Sequence, residues 1–163
     1  MKHIVLIGMM GCGKTTIGAL LSKKLSRPLL DTDRQIEKEQ GCTVAQIFSQ
    51  EGEDRFRALE LELCQRLGQR KGLIVACGGG LPMQPGCMQA LKQNGTVVWL
   101  RRDPGETYDG LDTSGRPLAQ QGREDFLARF AQREPVYRRW ADAVITDFSS
   151  PKRTVEKVLE VLK

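Results

Sequence analysis

Five short apolar runs are spaced along the chain, and segments with a helical pattern of apolar positions lie between them. The three strongest runs are HIVLIG (residues 3–8), GLIVACGGG (72–80) and TVVWLR (96–101), and PLLD and DAVITD are weaker versions. They lack polar alternation, which is typical of strands that are covered on both faces in a parallel sheet. The pattern predicts five strands of this kind.

The helical segments place their apolar residues on one stripe. Residues 14–25 do so through Ile17, Leu21 and Leu25, and residues 154–162 through Val155, Val158, Leu159 and Leu162. Ser150 and Pro151 supply the last helix with an N-cap and a proline at its first position. Strands that alternate with helices predict an α/β domain with a mostly parallel sheet and right-handed crossovers. With 163 residues and no repeat or linker, we expect residues 1–163 to form a single domain.

The charge balance changes this picture little. There are 25 Lys and Arg against 20 Asp and Glu, a formal charge of +5, and aromatic residues make up only 6% of the chain. A mild positive excess suits a small anionic ligand, and it argues only weakly for a nucleic-acid partner. We therefore expect small-molecule partners, no nucleic acid, and a monomer.

Five cysteines without CxxC spacing and a single histidine, His3, support neither a disulfide framework nor a zinc site. We expect a protein of the reducing cytoplasm. The first apolar stretch is too short for a signal-peptide core, and no stretch approaches the ~20 apolar residues that span a bilayer. No membrane association is predicted.

The strongest motif follows the first strand directly. In GMMGCGKTT, Gly8, Gly13, Lys14 and Thr15 satisfy G-x-x-x-x-G-K-[ST], and a predicted helix comes next. Glycines let the loop point its N–H groups at an anion, and the helix N-terminus adds partial positive charge. Lys14 can then reach the β- and γ-phosphates while the Thr15 hydroxyl suits Mg²⁺. We predict a nucleoside triphosphate site, with ATP as the nucleotide because guanine-reading motifs are absent.

Two charged side chains lie on or beside the apolar stripe of a predicted helix over residues 53–67. The stripe is Phe56, Leu59, Leu63 and Leu67. At ~100° per residue Glu60 falls inside it and Arg57 at its margin. Because an unpaired buried charge is costly, Glu60 needs a cation or a ligand, and Arg57 is the nearest candidate.

Arg133 repeats this oddity on the face that Phe126 and Phe130 define. Each guanidinium could reach water along its aliphatic stem. Two arginines placed in this way instead indicate a pocket for an anion, and their planar forks suit a carboxylate.

Three further features follow strands or loops. The sequence LLDTD ends a strand with two carboxylates, Asp31 and Asp33, and CGGG ends another where α/β folds bind ligands. The sequence GRPL places Arg116 in a polar loop over residues 111–122. A closing lid could bring that charge onto a transferring phosphoryl group.

Together these residues resemble the shikimate kinase family over essentially the whole chain. The matching stretches, in order, are GMMGCGKTT, LLDTDRQIE, FRALE, GGG, RPL and REPVYRR. The resemblance implies a three-layer αβα P-loop NTPase fold, with a five-stranded parallel sheet and a mobile lid over about 109–122. It also implies transfer of the ATP γ-phosphate to the 3-hydroxyl of shikimate, with Mg²⁺ as cofactor and ATP as co-substrate.

The resemblance also implies roles by position. Lys14, Asp33 and Arg116 would be catalytic, Arg116 as the lid arginine and Asp33 as a base or a group that aligns the hydroxyl. Thr15 and Asp31 would hold the metal. The ATP site would comprise Gly11, Cys12, Gly13, Lys14, Thr15, Thr16 and Arg116. The shikimate site would comprise Asp33, Arg57, Glu60, Gly79, Gly80 and Arg133, with Glu60 orienting the arginine pair that holds the carboxylate.

One position departs from the family pattern. Asp109 stands where the family commonly has an arginine that packs on adenine, and Tyr108 could supply a stacking face instead. Two other functions stay open at this point. One is a gluconate-type or nucleoside monophosphate kinase on the same fold, and the other is an ATP-binding protein that performs no transfer.

Overall fold

The computed structural model describes residues 1–111 and 122–163. In these residues five strands form one parallel sheet: β1 (His3–Ile7), β2 (Leu29–Asp31), β3 (Ile74–Ala76), β4 (Gly95–Leu100) and β5 (Ala143–Ile145). The strand order is β2-β3-β1-β4-β5, and every pairing is parallel. All five predicted strands are therefore confirmed, although β3 is shorter than its apolar run.

Helices cover both faces of the sheet. They are α1 (Lys14–Leu25), α2 (Thr32–Gln40), α3 (Val44–Glu51), α4 (Glu53–Leu67), α5 (Pro85–Lys92), α6 (Pro104–Asp109), α7 (Arg123–Trp140) and α8 (Pro151–Val161), with a 3₁₀ turn at Leu81–Met83. The last helix begins at Pro151, three residues before the predicted apolar stripe, and Ser150 Oγ accepts from Arg153 N (3.1 Å) as its N-cap. The predicted N-cap and first-position proline of this helix are therefore confirmed.

Alternate residues of the central strand divide the core into two halves. Ile4 and Leu6 of β1 pack toward α1 and α8, while Val5 and Ile7 pack toward the larger cluster formed with the other helices. All five residues of β1 are buried. Since side chains alternate across a strand, this division is what a sheet covered on both faces requires. The predicted three-layer arrangement is confirmed.

Parallel strands bring their carboxyl ends to one edge of the sheet. The loops that follow β1, β2 and β3 leave from this edge, and β1 and β3 are direct neighbours in the sheet. The glycine-rich segment after β1 and the three glycines after β3 must therefore lie side by side. In the described ranges no helix is both long and apolar enough to cross a membrane.

Candidate functional site

A cleft of about 840 Å³ opens at this edge of the sheet. Its volume suits a small ligand. Most of the predicted site residues line it: Gly11, Gly13, Lys14, Thr15, Thr16, Asp31, Asp33, Arg57, Glu60, Gly79, Gly80 and Arg133. Segments separated by more than a hundred residues thus meet in one cavity. Arg116, the predicted lid arginine, lies outside the described residues.

The loop between β1 and α1 has the backbone that its sequence predicts. Gly11 has φ 81° and Gly13 has φ 106°, both in the left-handed region that favours glycine, and Gly13 is the N-cap of α1. The side chain of Cys12 is buried beneath the loop, and its backbone N–H donates to Met9 O (3.2 Å). Cys12 is therefore a turn residue of the loop, and its Sγ also accepts from Lys14 Nζ (3.7 Å).

The ammonium of Lys14 lies folded onto its own loop. Lys14 Nζ donates to Gly8 O (2.6 Å) and Met9 O (2.8 Å), and the residue is buried. In the described residues its hydrogen-bond partners are all neutral, which is a poor arrangement for a buried ammonium in the absence of an anion. The loop thus presents a positive charge and a helix N-terminus to whatever enters the cleft.

Asp31 links the end of β2 to the start of α2. It is the last residue of the strand and also the N-cap of the helix, where its Oδ1 accepts from Arg34 N (3.1 Å). Its other oxygen, Oδ2, accepts from Thr15 Oγ1 at 2.8 Å. The predicted metal ligands therefore lie together as two hard oxygens beside the loop, the donor type that Mg²⁺ prefers. The described residues contain no cluster of three or more His, Cys, Asp or Glu suited to a metal.

Asp33 belongs to a helix, and this corrects the position that the sequence predicted for it. The sequence placed both carboxylates of LLDTD at the end of a strand, whereas Asp33 lies in the first turn of α2. Burial, with the nearby charge of Asp31, raises the pKa of Asp33 to about 6, while Lys14 and Arg57 oppose the shift. Asp33 thus feels the charges of both Lys14 in the phosphate loop and Arg57.

Each of the three glycines after β3 lies close to a different charged side chain. A Cβ on Gly78 would lie 2.6 Å from Asp33 Oδ1, one on Gly79 would lie 3.2 Å from Arg133 Nη1, and one on Gly80 would lie 2.5 Å from Arg57 Nη2. Consecutive Cα atoms are only about 3.8 Å apart, so the three groups converge on one short segment. Gly78 was not predicted as a site residue, although it belongs to the CGGG stretch that was predicted to lie at a ligand-binding edge.

Glu60 is fully buried and pairs with Arg57 as predicted. Arg57 Nη1 donates to Glu60 Oε1 at 2.6 Å, and Gln84 Nε2 donates to the same oxygen at 2.9 Å. Burial raises the pKa of Glu60 to about 7, against the effect of Arg57. Among the described residues Arg133 is not a partner of Glu60, so the expectation that Glu60 orients both arginines holds for Arg57 alone. Gln84 was not predicted, because nothing in the helical pattern signals a contact between helices.

Arg133 is buried without a carboxylate partner in the described part of the chain. It is 7% exposed, and its contacts include Met9 Sδ at 4.0 Å and the phenol of Tyr137. Tyr137 donates to Gly79 O at 2.6 Å, and burial raises the pKa of this phenol to about 12, so it remains a donor. Tyr137 is a further residue that the sequence pattern did not reveal. A buried guanidinium that lines a cavity and lacks a counter-ion is a site for an anion.

The departure at Asp109 has a local explanation. Asp109 Oδ1 pairs with Arg123 Nε at 3.1 Å, which joins the end of α6 to the start of α7 at the surface. The ring of Tyr108 packs against Phe126, with ring centroids 5.3 Å apart. Packing between α6 and α7 thus accounts for Tyr108, and its stacking on adenine stays a prediction.

Comparisons with known proteins agree with this geometry. The family model described as "Shikimate kinase" matches residues 10–163. A shikimate kinase from Pelotomaculum thermopropionicum is 40% identical, covering 100% of this chain and 96% of that protein. The solved structure of a shikimate kinase from Acinetobacter baumannii in complex with shikimate is similar with a TM-score of 0.91 and 36% identity, covering 99% of this chain and 93% of that one.

A more distant solved structure shows how high the TM-score is when only the fold is shared. A gluconokinase from Sinorhizobium meliloti is similar with a TM-score of 0.62 and only 12% identity, covering 99% of this chain and 91% of that one. At that identity the likeness shows the fold alone. The shared fold is common to kinases of different acceptors, so the acceptor is indicated by the residues of the cleft.

Proposed function

The chain belongs to the shikimate kinase family, and we propose that its cleft transfers the γ-phosphate of ATP to the 3-hydroxyl of shikimate with the residues described above. The observation that carries this assignment is the pair of arginines on consecutive glycines. Arg57 and Arg133 lie against Gly80 and Gly79, beside Asp33 and next to the phosphate loop. A small hydroxylated acid offers a carboxylate for the arginines and a hydroxyl for Asp33.

The ATP half of the reaction is assigned to the segment from Gly11 to Thr16. Its glycines and the N-terminus of α1 direct N–H groups toward the phosphates, and Lys14 exchanges two carbonyl partners for phosphate oxygens. This exchange gives the buried ammonium an anionic partner. A lysine at this position stabilises the charge that develops on the transferring group.

Magnesium is assigned to Thr15 and Asp31. The 2.8 Å bond between their oxygens supports this because it places a hydroxyl and a carboxylate close enough to share one ion's coordination or its water shell. Bound Mg²⁺ would neutralise phosphate charge during transfer. Asp31 is fixed for this task by its second role as the cap of α2.

The acceptor half is assigned to Asp33, Arg57, Glu60, Gly79, Gly80 and Arg133. Arg57 pairs with the buried Glu60 through Nη1 and, at a longer 3.3 Å, with the exposed Glu53 through Nη2. Arg133 has no carboxylate partner in the described residues. The glycines allow a ring to approach the backbone closely. The two arginines thus fix the acid while Asp33 receives the hydroxyl.

Asp33 acts on the hydroxyl at neutral pH in its ionised form. With a pKa near 6 it is charged at pH 7.5 and can accept a hydrogen bond from the attacking hydroxyl. Phosphoryl transfer has a loose transition state, so alignment of the nucleophile matters more than early removal of its proton. Arg116 remains assigned, from the family resemblance, to the charge of the transferring phosphoryl group.

The cellular setting is proposed from composition. All five cysteines are free, which fits a reducing cytoplasm, and the net charge of +5 suits small anionic substrates better than a polynucleotide. We assign a monomeric enzyme that works on shikimate and ATP, with no nucleic acid or membrane partner.

The test is an ADP-release assay in which ATP, Mg²⁺ and shikimate are omitted one at a time. ADP formation is expected only when all three are present, and shikimate 3-phosphate is expected as the product. Gluconate and nucleoside monophosphates serve as alternative acceptors, because a site built for specific buried polar groups rejects analogues that lack them. ADP release that depends on one of these compounds and not on shikimate would overturn the assignment, as would tight ATP binding without any transfer.

A further inference from the structure

Gln84 lies at a junction between the acceptor glycines and two helices. It follows the 3₁₀ turn Leu81–Met83 and is the N-cap residue of α5, yet its side chain does not cap that helix. The backbone N–H of Gln84 donates to Leu81 O (3.0 Å), and this bond fixes the position of the Gln84 backbone. The amide then reaches across to α4, where Nε2 donates to Glu60 Oε1 at 2.9 Å.

The oxygen that Gln84 contacts is the one that holds Arg57. Glu60 Oε1 accepts from both Gln84 Nε2 and Arg57 Nη1, while Glu60 Oε2 is buried and has no partner among the described residues. Glu60 itself is 0% exposed. With water excluded from Oε1, the rotamer of Glu60 is set by these two donors, and the direction of Arg57 depends in turn on Glu60.

The guanidinium of Arg57 packs directly against Gly80, so a small movement would end this contact. Its Nη2 and Nη1 atoms would lie 2.5 and 2.9 Å from a Cβ on Gly80. Its other ionic partner is Glu53, one turn earlier in α4, at 3.3 Å. If Glu60 turned away, Glu53 would be the remaining ion-pair partner of Arg57 in the described part of the chain, and because Glu53 is exposed the guanidinium would move toward solvent.

We propose that Gln84 is a positioning residue for the acceptor, and that it holds Arg57 against Gly80 by means of Glu60. The inference rests on the proposed function, because the group that Arg57 would bind is the carboxylate of shikimate. Gln84 touches neither substrate in this scheme. It acts through the two residues that follow it in the chain of contacts.

The surroundings of Glu60 give the proposal a pH signature. In the described parts of the chain, the titratable groups that act on it are Arg57 and Cys64 from α4, Asp33 from α2 and Cys77 after β3, while the start of α5 contributes the neutral amide of Gln84. A hydrogen bond to the carboxylate favours its ionised form. Removal of that donor therefore raises the pKa of Glu60, and the ion pair with Arg57 is lost at a higher pH than in the parent protein.

The first test variant is Gln84→Met, which keeps the length of the side chain and removes the donor. We expect the KM for shikimate at pH 7 to rise roughly 10-fold, the loss of about one hydrogen bond to a charged group. The kcat and the KM for ATP should stay within about two-fold. The acidic limb of the kcat/KM profile for shikimate should move to higher pH. Gln89→Met, an exposed change in the same helix, is the matched control and should change none of these values.

The second variant, Gln84→Glu, reverses the expected pH trend. Two adjacent ionised carboxylates repel, so the KM for shikimate should be worst at high pH. It should improve as the pH falls far enough for one of the two to carry a proton and donate it. A merely structural role for Gln84 would not produce opposite pH trends in two variants of similar size.

Several results would overturn the proposal. One is an unchanged KM and pH profile in Gln84→Met. Another is an equal loss of affinity for both substrates together with a lower unfolding midpoint, which would show a structural role. If the parent protein formed no ADP with shikimate, the proposed function itself would fail and the role of Gln84 would fail with it. If the parent protein is active with shikimate and Gln84→Met behaves like the parent, only the proposed role of Gln84 is contradicted.

Discussion

The two halves of the cleft are built in different ways. The phosphate loop and Lys14 come from one continuous segment of nine residues, GMMGCGKTT. Lys14 bonds within that segment and Thr15 reaches Asp31, while Met9 Sδ is the point at which the segment meets Arg133 and Tyr137. The acceptor half joins groups from α2, α4, α7 and the glycines after β3. The first half is local and is readable as a motif, whereas the second exists only because the sheet and its helices bring remote residues together. A change in the first half should therefore act on chemistry, and a change in the second on acceptor binding.

The largest expected effect is that of Lys14→Ala, which tests the local half. Because this ammonium stabilises charge that develops during transfer, we expect kcat/KM to fall by about 10³-fold or more. Steady-state ADP release measures the loss. Lys23→Ala, an exposed change in the same helix, should leave the rate unchanged. A Lys14→Ala enzyme with near-parent turnover would show that the cleft does not use the loop as assigned.

Asp33 lies between the two halves, and Asp33→Asn should trade activity for stability. Since burial raises its pKa from 3.8 to about 6, the fold favours the protonated form. This contribution to stability is present below about pH 4 and is lost as the pH rises through about 6. The variant cannot ionise, so at pH 8 we expect it to lose most activity and to be more stable than the parent by on the order of 1–3 kcal/mol.

Urea unfolding at several pH values measures this difference. The gain should shrink to nothing well below pH 4, where Asp33 of the parent is protonated in both the folded and the unfolded state. Asp54→Asn, an exposed change, should bring no gain at any pH. A stability difference that is independent of pH would contradict the assigned environment of Asp33.

Much of this architecture is predictable from the sequence, and the exceptions have physical reasons. Continuous apolar runs identify all five strands, and the stripe Phe56–Leu67 identifies α4 with Glu60 inside it. Helix α2 was not predicted, because no turn separates its start from β2. Asp31 serves as the end of one and the cap of the other.

Contacts between elements account for what else the sequence left out. Gly78, Gln84 and Tyr137 complete the acceptor half, and each does so by meeting a residue on another element. Helical or strand periodicity describes which face a residue occupies and not which partner it meets there. The burial of Arg133 could be predicted, whereas its lack of a carboxylate partner in the described residues required the structure.

Gly80→Ala should affect acceptor binding and leave ATP binding unchanged, although it replaces no charged residue. The backbone of Gly80 has φ −91°, which alanine adopts readily, so the change acts through its Cβ on Arg57. We expect the KM for shikimate to rise roughly 10-fold while the KM for ATP stays within about two-fold, because a displaced guanidinium loses about one charged hydrogen bond. Parallel titration of both substrates measures this. Equal changes in both KM values would show that the halves are not independent.

The smallest effect is expected at the surface, from Asp109→Ala. The pair of Asp109 with Arg123 is exposed on both sides, and such pairs contribute less than about 1 kcal/mol. Thermal unfolding should show a change of at most a few degrees, and the KM for shikimate should not change. A large rise in that KM would place Asp109 in the acceptor half, which this account excludes.

The central claim is that Arg57 and Arg133 bind the carboxylate of the acceptor. Calorimetric titration of shikimate and of its methyl ester, into the parent protein and into Arg133→Ala, tests it most directly as a double-mutant cycle. We expect the parent to bind the acid at least about 10-fold more tightly than the ester, and Arg133→Ala to lose most of that preference while it keeps its affinity for ATP. Equal weakening of acid and ester by Arg133→Ala would contradict the account.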